Sequence, residues 1–490
     1  MEQILTKTKY ISGLQCSKLL WYHYNDPHKI PPQDGMTKYI FDQGHNIGVL
    51  AQGLFPNGII VKNETDHTKA SKLSFELLRE RRPLFEAGFK YENIYARADI
   101  LNPVNDDAWD IIEVKSSTKI DEISLHDISF QKHCFEKAGL KIRNCYVMFI
   151  NKYYIKHGEI DLKELFTIKN VTSRIRITIK GIKKRIKKML DIIKIPSPPE
   201  KEIGHHCRYP YKCLLQNKCM RFLPEKNIYS LCRIRKSVAD SLVKSGIYTF
   251  KEIPDEILLT ARQIIQINCE ETGEPYIDKE DIRSFLSKLI FPQYFLDFET
   301  FMTSVPVFDE THPYQQIPFQ FSLHVLESSN AKPLHYSFIS DCLKDPRKDI
   351  LLKLKKLLGD EGSIIAYNVG FEIGVLKRSS EVFPEYIDWF NKIRPRFIDL
   401  WEPFRNFDYY SPLQNGSASL KKVLPALTKK NYDNMAINNG EAACSEFMRV
   451  TFSNVSKKEK QKVLVDLEKY CSLDTMALID ILFALQKLVR

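Results

Sequence analysis

QYFLDFET, at residues 293–300, is the stretch that decides the fold of the C-terminal half of this chain. Its apolar run predicts a buried β-strand. Asp297 and Glu299 lie two positions apart, so the strand period places both carboxylates on one face. Acids buried side by side usually bind a metal ion or pair with bases, which makes this a candidate metal site. Taken alone, this Asp-x-Glu motif also occurs in strands that bind no metal, and that is the alternative interpretation.

Outward from this strand, the pattern predicts two more strands and four helices, at 317–327, 363–368, 371–380, 419–427, 438–449 and 456–487. Asn368 ends a predicted strand, and Glu372 falls in the first turn of the helix that follows. Tyr470 and Asp474 are four residues apart in the last helix, so they share one helix face. Taken singly, Glu372 is also explained as a charge at the start of a helix. Tyr470 and Asp474 are also explained as part of an amphipathic surface helix.

The order and spacing of LDFET, YNVGFE and Tyr-x-x-x-Asp resemble the DEDDy-type 3′–5′ exonucleases of ribonuclease H-like fold. The resemblance covers about residues 290–490. It implies that Asp297, Glu299, Glu372 and Asp474 bind two Mg²⁺ or Mn²⁺ ions, and that Tyr470 orients the attacking water. Glu372 departs from the family pattern, where aspartate is usual, and its extra methylene displaces the carboxylate by about 1 Å.

The N-terminal part has its own predicted strands and helix, at 93–101, 109–116, 125–139 (the helix) and 145–151. Asp99 lies on the first strand, and Glu113 and Lys115 share one face of the second. This arrangement resembles the PD-(D/E)XK nucleases of the RecB-like branch. The resemblance implies metal binding by His45, Asp99 and Glu113, activation of water by Lys115, and a supporting role for Gln131. An exposed strand with alternating charges remains the alternative.

Four of the eleven cysteines follow a pattern: Cys207, Cys213 and Cys219 are evenly spaced, and Cys16 lies far upstream. One early and three late cysteines resemble the iron–sulfur subgroup of RecB-like nucleases, which includes the CRISPR-adaptation nucleases. The resemblance implies a [4Fe–4S] cluster. The spacing after the second cysteine is longer here than in those groups. Zn²⁺ is the alternative, since His205 and His206 adjoin the cysteines, and scattered structural cysteines are a third interpretation.

A basic segment at 169–194 holds ten Lys and Arg and one acid, against a net charge of +11 for the whole chain. Basic clusters bind phosphate backbones and release condensed counterions. The candidate nucleic-acid-binding residues are Lys183, Lys184, Arg185, Lys187 and Lys188. A solvated helix face explains the same pattern without a ligand.

The length of 490 residues predicts two or three domains, and both halves have a mixed α/β pattern. We predict a RecB-like PD-(D/E)XK, restriction-endonuclease-like domain at 1–225 and a helical connector at 226–290. The connector resembles a helix-hairpin-helix element. A ribonuclease H-like domain is predicted at 291–490. The N-terminus lacks a signal-peptide pattern and no stretch is apolar enough to span a bilayer, so a cytoplasmic protein without a membrane partner is expected.

The function predicted from these motifs is metal-dependent hydrolysis of DNA, at a two-metal exonuclease site and a second PD-(D/E)XK site. An RNA exonuclease and a catalytically inert nucleic-acid-binding scaffold are the alternatives. No GxxxxGK[ST] motif occurs, so any helicase motor is expected to be a separate partner.

Overall fold

A computed structural model of the protein describes residues 3–32, 35–62, 64–105, 107–433 and 435–490. The chain forms two compact units. The first comprises Met1–Phe222 with Thr303–Tyr314, and the second comprises Leu223–Met302 with Gln315–Arg490. Both units are mixed α/β, as the sequence predicts. The predicted helical connector, 226–290, belongs to the second unit.

The first unit is built on one seven-stranded sheet, in the order β2-β3-β4-β5-β6-β7, with β1 paired to β4. Its strands are β1 (Leu5–Thr6), β2 (Ile59–Ile60), β3 (Leu84–Tyr91), β4 (Ile94–Val104), β5 (Ala108–Lys115), β6 (Lys141–Ile150) and β7 (Phe166–Asn170). The central strands β4 and β5 are antiparallel, whereas β5 and β6 are parallel. A parallel pair needs a crossover connection, and one helix supplies it here.

The helices of the first unit are α1 (Lys7–Gln15), α2 (Ser17–Asn25), α3 (Gly35–Gln52), α4 (His67–Leu77), α5 (Glu122–Lys137), α6 (Leu162–Leu165), α7 (Ile175–Ile179), α8 (Ile182–Ile192) and α9 (Gln216–Cys219). Helix α5 is the crossover between β5 and β6, and Asp121 caps its start by accepting from the Ser124 amide. Trp109 and Ile111 of β5 pack in the same core as Phe130 of α5. Alternation along β5 therefore directs the face that carries Glu113 and Lys115 toward α5.

The second unit contains a five-stranded sheet in the order β11-β10-β9-β12-β13, and a short β8–β14 ladder. The strands are β8 (Tyr276–Ile277), β9 (Gln293–Phe301), β10 (Ile317–Leu326), β11 (Leu334–Ile339), β12 (Ser363–Ala366), β13 (Phe397–Asp399) and β14 (Tyr409–Tyr410). Strand β9, which carries the acidic motif, is central, antiparallel to β10 and parallel to β12. A central strand is held by hydrogen bonds on both sides, which gives its side chains a rigid support.

The helices of the second unit are α10 (Lys236–Lys244), α11 (Ala261–Thr272), α12 (Lys279–Leu286), α13 (Arg347–Leu357), α14 (Gly370–Val382), α15 (Ile387–Ile393), α16 (Glu402–Asn406), α17 (Leu420–Thr428), α18 (Gly440–Phe452) and α19 (Lys457–Val489). Tyr294, Leu296 and Phe298 of β9 belong to the apolar core that α13–α15 cover. The opposite face of β9 packs against α18 and α19. That face carries Asp297 and Glu299, as the period of two predicts.

The predicted strands and helices around the motifs are confirmed, with shifts of a few residues at their ends. The predicted helix at 456–487 is the 33-residue α19. Its buried face includes Leu467, Tyr470, Asp474 and Leu478, which follow the helical repeat. Among the helices that the structure describes, none has the length and apolar character needed to cross a bilayer.

Candidate metal and catalytic centres

Three carboxylates converge on the α19 side of the second sheet. Asp297 and Glu299 project from β9, and Asp474 projects from α19. One oxygen from each of the three lies within 4.8 Å of the others. Glu299 and Asp474 are buried, at 8% and 7% exposure, and Asp297 is half-buried. Packing of α19 on the sheet thus brings together acids that are 175 or more residues apart in the sequence.

Glu372 is the fourth predicted acid, and it lies beside these three. The Asn368 amide donates to Asp399 Oδ1 at 2.8 Å, and the positive φ of Asn368 turns the chain from β12 into α14. Glu372 is then in the first helical turn, where it is buried and its Oε2 has no hydrogen-bond partner. Burial and the Asp297 charge raise its pKa well above the ordinary range. Its carboxylate therefore lies near Asp297, although outside the group of three that meets within 4.8 Å.

Two tyrosines hold Asp474. The Tyr470 hydroxyl hydrogen-bonds to it, one helical turn away, as the predicted shared face requires. Tyr432 donates to Asp474 Oδ1 at 2.6 Å, and no sequence motif pointed to this residue. Cys471 also contacts the cluster without having been indicated by a motif. Its Sγ lies 3.4 Å from Asp297 Oδ2. Tyr432 reaches Asp474 through tertiary packing, and Cys471 reaches Asp297 through its position on α19. Neither residue type by itself indicates a contact with the acidic cluster.

The acidic cluster is short of positive charge. Burial and neighbouring acids raise the pKa of Asp297 and of Glu299 well above their ordinary values, and burial raises that of Asp474 to about 6. Lys421 partly offsets this, since its charge lowers the pKa of Glu299 and Asp474. Within the described part of the chain, no Lys or Arg nitrogen lies within 4.0 Å of these carboxylates. Divalent cations with oxygen preference suit such a site.

The first unit contains a second acidic network, but this one has its own bases. Lys115 Nζ lies 2.7 Å from Glu113 Oε1 and 2.6 Å from Asp127 Oδ2. Gln131 Nε2 donates to Glu113 Oε2 at 2.5 Å. Lys7 Nζ, from the start of α1, lies 3.0 Å from Glu113 Oε1. Two lysines thus bracket Glu113, so this site needs less added charge than the acidic cluster does.

Asp99 completes this network, because its Oδ2 accepts from the Val114 amide at 2.6 Å. Burial and the Glu113 charge raise the pKa of Asp99 to about 7. Burial opposes ionisation of Glu113 too, but the charges of Lys115 and Lys7 outweigh it and lower the Glu113 pKa. The two acids therefore differ in protonation near neutral pH.

The structure brings Asp99, Glu113, Lys115 and Gln131 together, as predicted. It does not bring His45 into a metal-capable group: His45 is exposed on α3, and among the described residues only the Asp297 group has three ligand atoms within 4.8 Å of one another. Sequence reasoning missed Asp127 and Lys7. Asp127 is four residues before Gln131 on α5, a spacing that would have revealed it. Lys7 is 106 residues from Glu113 and gave no such signal.

The four predicted cysteines also meet in the first unit. Cys16 separates α1 from α2, and it shares an apolar cluster with Cys213 and Cys219. Cys207 lies close enough to Cys16 and Cys219 for their charges to interact. None of the four forms a disulfide bond, and burial raises the pKa of Cys213 to about 11. No three of the described Cys, His or acidic ligand atoms in this region lie within 4.8 Å of one another.

Residues 294–419 match the domain of unknown function DUF2779. This match contains Asp297, Glu299 and Glu372, and it ends before Tyr470 and Asp474. Three relatives are similar over a longer stretch of the chain. "Uncharacterized protein MG366" of Mycoplasma genitalium is 25% identical over 224 residues, which is 42% of this chain and 33% of that protein.

Two further relatives have similar coverage. The MG366 homolog of Mycoplasma pneumoniae is 27% identical over 218 residues, which is 41% of this chain and 33% of that protein. "Uncharacterized protein UU173" of Ureaplasma parvum is 25% identical over 230 residues, which is 41% of this chain and 32% of that protein. The chain therefore spans about a third of the length of the relatives it matches.

The basic segment divides by role in the structure. Lys183, Lys184, Lys187 and Lys188 are exposed on α8, as a nucleic-acid-binding face requires. Arg185 is half-buried and donates to the Tyr10 hydroxyl at 3.1 Å and to backbone carbonyls of the preceding turn. Arg185 thus contributes to the fold more than to an open surface.

A cavity of about 450 Å³ adjoins the basic face of α8. Lys183 and Lys187 line it, together with Lys137, His133, Lys194 at the end of the basic segment, and the acids Glu92 and Asp191. The four lysines outnumber the two acids, so the lining carries a net positive charge.

Because of the acidic cluster, we predict that the stability of the protein depends on divalent ions and on pH. In metal-free protein, raised carboxylate pKa values mean that the folded state holds more protons than the unfolded chain. The free energy of unfolding therefore falls as pH rises from about 4 through the Asp474 pKa of about 6. Added Mg²⁺ or Mn²⁺ should remove this pH-dependent loss of stability. At a concentration 100 times its Kd, the ion should raise the free energy of unfolding by about 2.7 kcal/mol.

Calorimetric unfolding of the protein, with and without ions at pH 5 and pH 8, tests this. The ion should raise the free energy of unfolding more at pH 8 than at pH 5, because protons no longer compete with it for the carboxylates at pH 8. Glu299→Gln should abolish most of this gain, whereas Glu327→Gln, an exposed glutamate beyond the end of β10, should keep it. An equal gain in both variants would place the ions elsewhere.

Proposed function

We propose that this chain is a metal-dependent nuclease that hydrolyses phosphodiester bonds of DNA, with a DEDDy-like 3′–5′ exonuclease site in the second unit. One observation carries the proposal: Asp297, Glu299, Asp474 and Glu372 come together in a buried site, with Tyr470 bonded to Asp474 and no base at ion-pair distance among the described residues. Burying several carboxylates without bases is costly, and a binding site for cations explains it.

The residues present fit two Mg²⁺ or Mn²⁺ ions, which Asp297, Glu299, Asp474 and Glu372 would hold. Such a pair supplies a clamp for the attacking and leaving oxygens of a phosphodiester. The chain's own groups do the rest. Tyr432 fixes the Asp474 carboxylate, and the Tyr470 hydroxyl stays protonated because burial and the neighbouring acids raise its pKa, so it can orient water.

Lys421 has a place in this mechanism. Its Nζ lies 5.3 Å from the Tyr470 ring centroid and 5.4 Å from that of Tyr432. A cation at this position offsets negative charge that develops at the phosphate during attack. Lys421 also donates to the Asn438 carbonyl, which holds its stem in place.

The first unit is proposed to contain a second nuclease site of the RecB-like PD-(D/E)XK kind. Asp99 and Glu113 would bind the metal ion, and Lys115 would orient water and offset developing charge. Gln131 and Asp127 hold Glu113 and Lys115 in place through the hydrogen bonds described above. Lys7 adds a second cation at Glu113, a feature of the network that the resemblance did not imply.

The four cysteines are proposed to hold a [4Fe–4S] cluster. Tetrahedral zinc has Zn–S bonds near 2.3 Å and therefore holds its sulfurs roughly 3.8 Å apart. The spacing here is wider than that, since no three of these ligand atoms lie within 4.8 Å of one another. A cubane cluster is larger than a single ion, so the wider spacing favours iron–sulfur over zinc.

The cluster makes a spectroscopic prediction. Anaerobically purified protein should be coloured, with iron and sulfide in equal amounts, because cysteine-ligated clusters absorb visible light. Cys213→Ser should lose the colour and most of the iron, whereas Cys269→Ser, a buried cysteine of the second unit, should keep both. Colourless protein with one zinc per chain would contradict the assignment.

The experiment that tests the function is a digestion of end-labelled single strands with Mg²⁺ or Mn²⁺. We expect a 5′-labelled DNA strand to shorten one nucleotide at a time from its 3′ end. A matched RNA strand degraded faster than DNA would identify RNA as the substrate. Strand binding without any release of nucleotides, with either metal ion, would identify an inert scaffold and overturn the nuclease proposal.

A further inference from the structure

A cavity of about 580 Å³ lies in the second unit, and one of its lining residues, Tyr367, is close enough to Tyr432 at the acidic cluster for their charges to interact. Asn368, which lines it, is four residues before Glu372, and Leu420, which also lines it, directly precedes Lys421. Its twelve lining residues include two arginines and no acid, and behind them Asp399 Oδ1 accepts from the Asn368 and Trp401 amides at 2.8 and 3.1 Å. The volume is in the range of cavities that hold small ligands. A positive cavity next to a negative cluster is a place for an anionic group of the same substrate.

Arg233 enters this cavity from the segment that was predicted as a connector. The backbone of the preceding residue, Cys232, is held on both sides: its amide donates to Gln266 Oε1 at 2.6 Å, and its carbonyl accepts from Gln263 Nε2 at 3.0 Å. Arg233 itself has a φ of 52°, a left-handed conformation that costs energy for a side chain of this size. It is exposed, and within the described residues it forms no ion pair.

A glycine holds the facing wall of the cavity close to the same segment. Gly416 has a φ of 73°, and a Cβ atom there would lie 2.0 Å from the Ser230 carbonyl oxygen. Gln266 Nε2 donates to that carbonyl at 3.0 Å. The loop that follows Gly416 therefore packs directly on the chain that presents Arg233, and the cavity is built into the fold.

The remaining walls combine a second cation with aromatic faces. The Arg405 guanidinium lies 5.1 Å from the Trp401 ring centroid. Tyr367 adds a half-buried ring, whose hydroxyl donates to the Ala418 carbonyl at 2.6 Å, whereas Phe407 is buried and stacks on Tyr410. Guanidinium groups bind phosphate in a bidentate manner, and aromatic faces stack on any base. Both halves of a nucleotide thus have a suitable contact here.

We propose that this cavity binds one nucleotide unit, with its phosphate at Arg233 and Arg405 and its base against the aromatic wall. The inference rests on the proposed function, because the acidic cluster would cut the neighbouring phosphodiester. The bound unit is either part of the strand still attached or the mononucleotide just released, and both share this chemistry.

Fluorescence anisotropy of a labelled oligothymidylate tests the proposal, in an Asp297→Asn background that prevents cleavage. Arg233→Gln and Arg405→Gln should each weaken binding at least tenfold. Each should also lower the slope of log affinity against log salt by about 0.7, the value for one phosphate contact on a single strand. Arg235→Gln is the matched control, because Arg235 is exposed on the same segment and does not line the cavity. Its affinity should change less than twofold.

Calorimetric titration with thymidine 5′-monophosphate separates the two sources. Weaker binding of the mononucleotide to Arg233→Gln would identify the product as an occupant, and unchanged binding alongside weaker strand binding would identify the strand. Suppose that Arg233→Gln and Arg405→Gln bind the strand with the same affinity as the control Arg235→Gln, while the wild type still releases nucleotides. The cavity assignment is then wrong and the nuclease proposal stands. A wild type that neither binds nor cuts strands would overturn both.

Discussion

Asp297→Asn is expected to abolish the stepwise release of nucleotides from 3′ ends, with a rate loss of about a thousandfold or more. Asp297 is the acid common to the cluster: it shares the β9 face with Glu299, and its charge acts on Glu372. Losing a metal ligand forfeits several kcal/mol of charge stabilisation in the transition state, and each 1.36 kcal/mol is about a factor of ten.

The substitution should not unfold the protein. Removing one of several mutually repelling carboxylates relieves repulsion, so the metal-free variant should melt no lower than the wild type. Asp466→Asn is the control, since Asp466 lies on α19 outside the cluster. Rates of mononucleotide release from a 5′-labelled strand, measured for both variants, decide the matter. A fully active Asp297→Asn variant would remove the acidic cluster from the mechanism.

Lys115→Ala is expected to abolish any cutting by the first unit and to destabilise that unit by about 3 kcal/mol, because Glu113 and Asp127 would each lose a hydrogen bond from a charged donor, with Lys7 remaining near both. For a unit of this size, such a loss lowers the melting temperature by roughly 10 °C. Lys7 would remain as the only cation at Glu113 among the described side chains.

An Asp297→Asn background isolates this second activity, because trimming at the other site is then absent. Internal or 5′-directed cuts that remain should disappear with Lys115→Ala and persist with Lys119→Ala, an exposed lysine four residues further along. With Asp297 intact, Lys115→Ala should leave 3′ trimming unchanged at a temperature where both units are folded. Loss of trimming as well would mean that the two sites are coupled.

Local patterns predicted the elements on which the candidate sites lie. The apolar run of QYFLDFET predicted β9, and its alternation correctly placed Asp297 and Glu299 on one face. The repeat along α19 correctly placed Tyr470 and Asp474 one turn apart. Such features depend on backbone periods of 2.0 and 3.6 residues, which any short stretch of sequence reveals.

Residues whose roles depend on distant packing gave no such sign. Tyr432 reaches Asp474 from the loop after α17, and Lys7 reaches Glu113 across 106 residues. His45 shows the opposite case, since its motif position suggested a ligand and its side chain is exposed on α3. Contacts between distant segments depend on how whole elements pack, and no local period encodes that packing.

By itself, the sequence determined the α/β character of both halves and the strand and helix that carry each acid, and a family resemblance predicted that four cysteines meet. Only the tertiary structure decided that, among the described residues, no base lies at ion-pair distance from the acidic cluster while Glu113 has two lysines. It also revealed that Arg233 lines a cavity beside the cluster. Charge balance in a buried site is set by the groups that surround it in space, and those come from segments far apart in the chain.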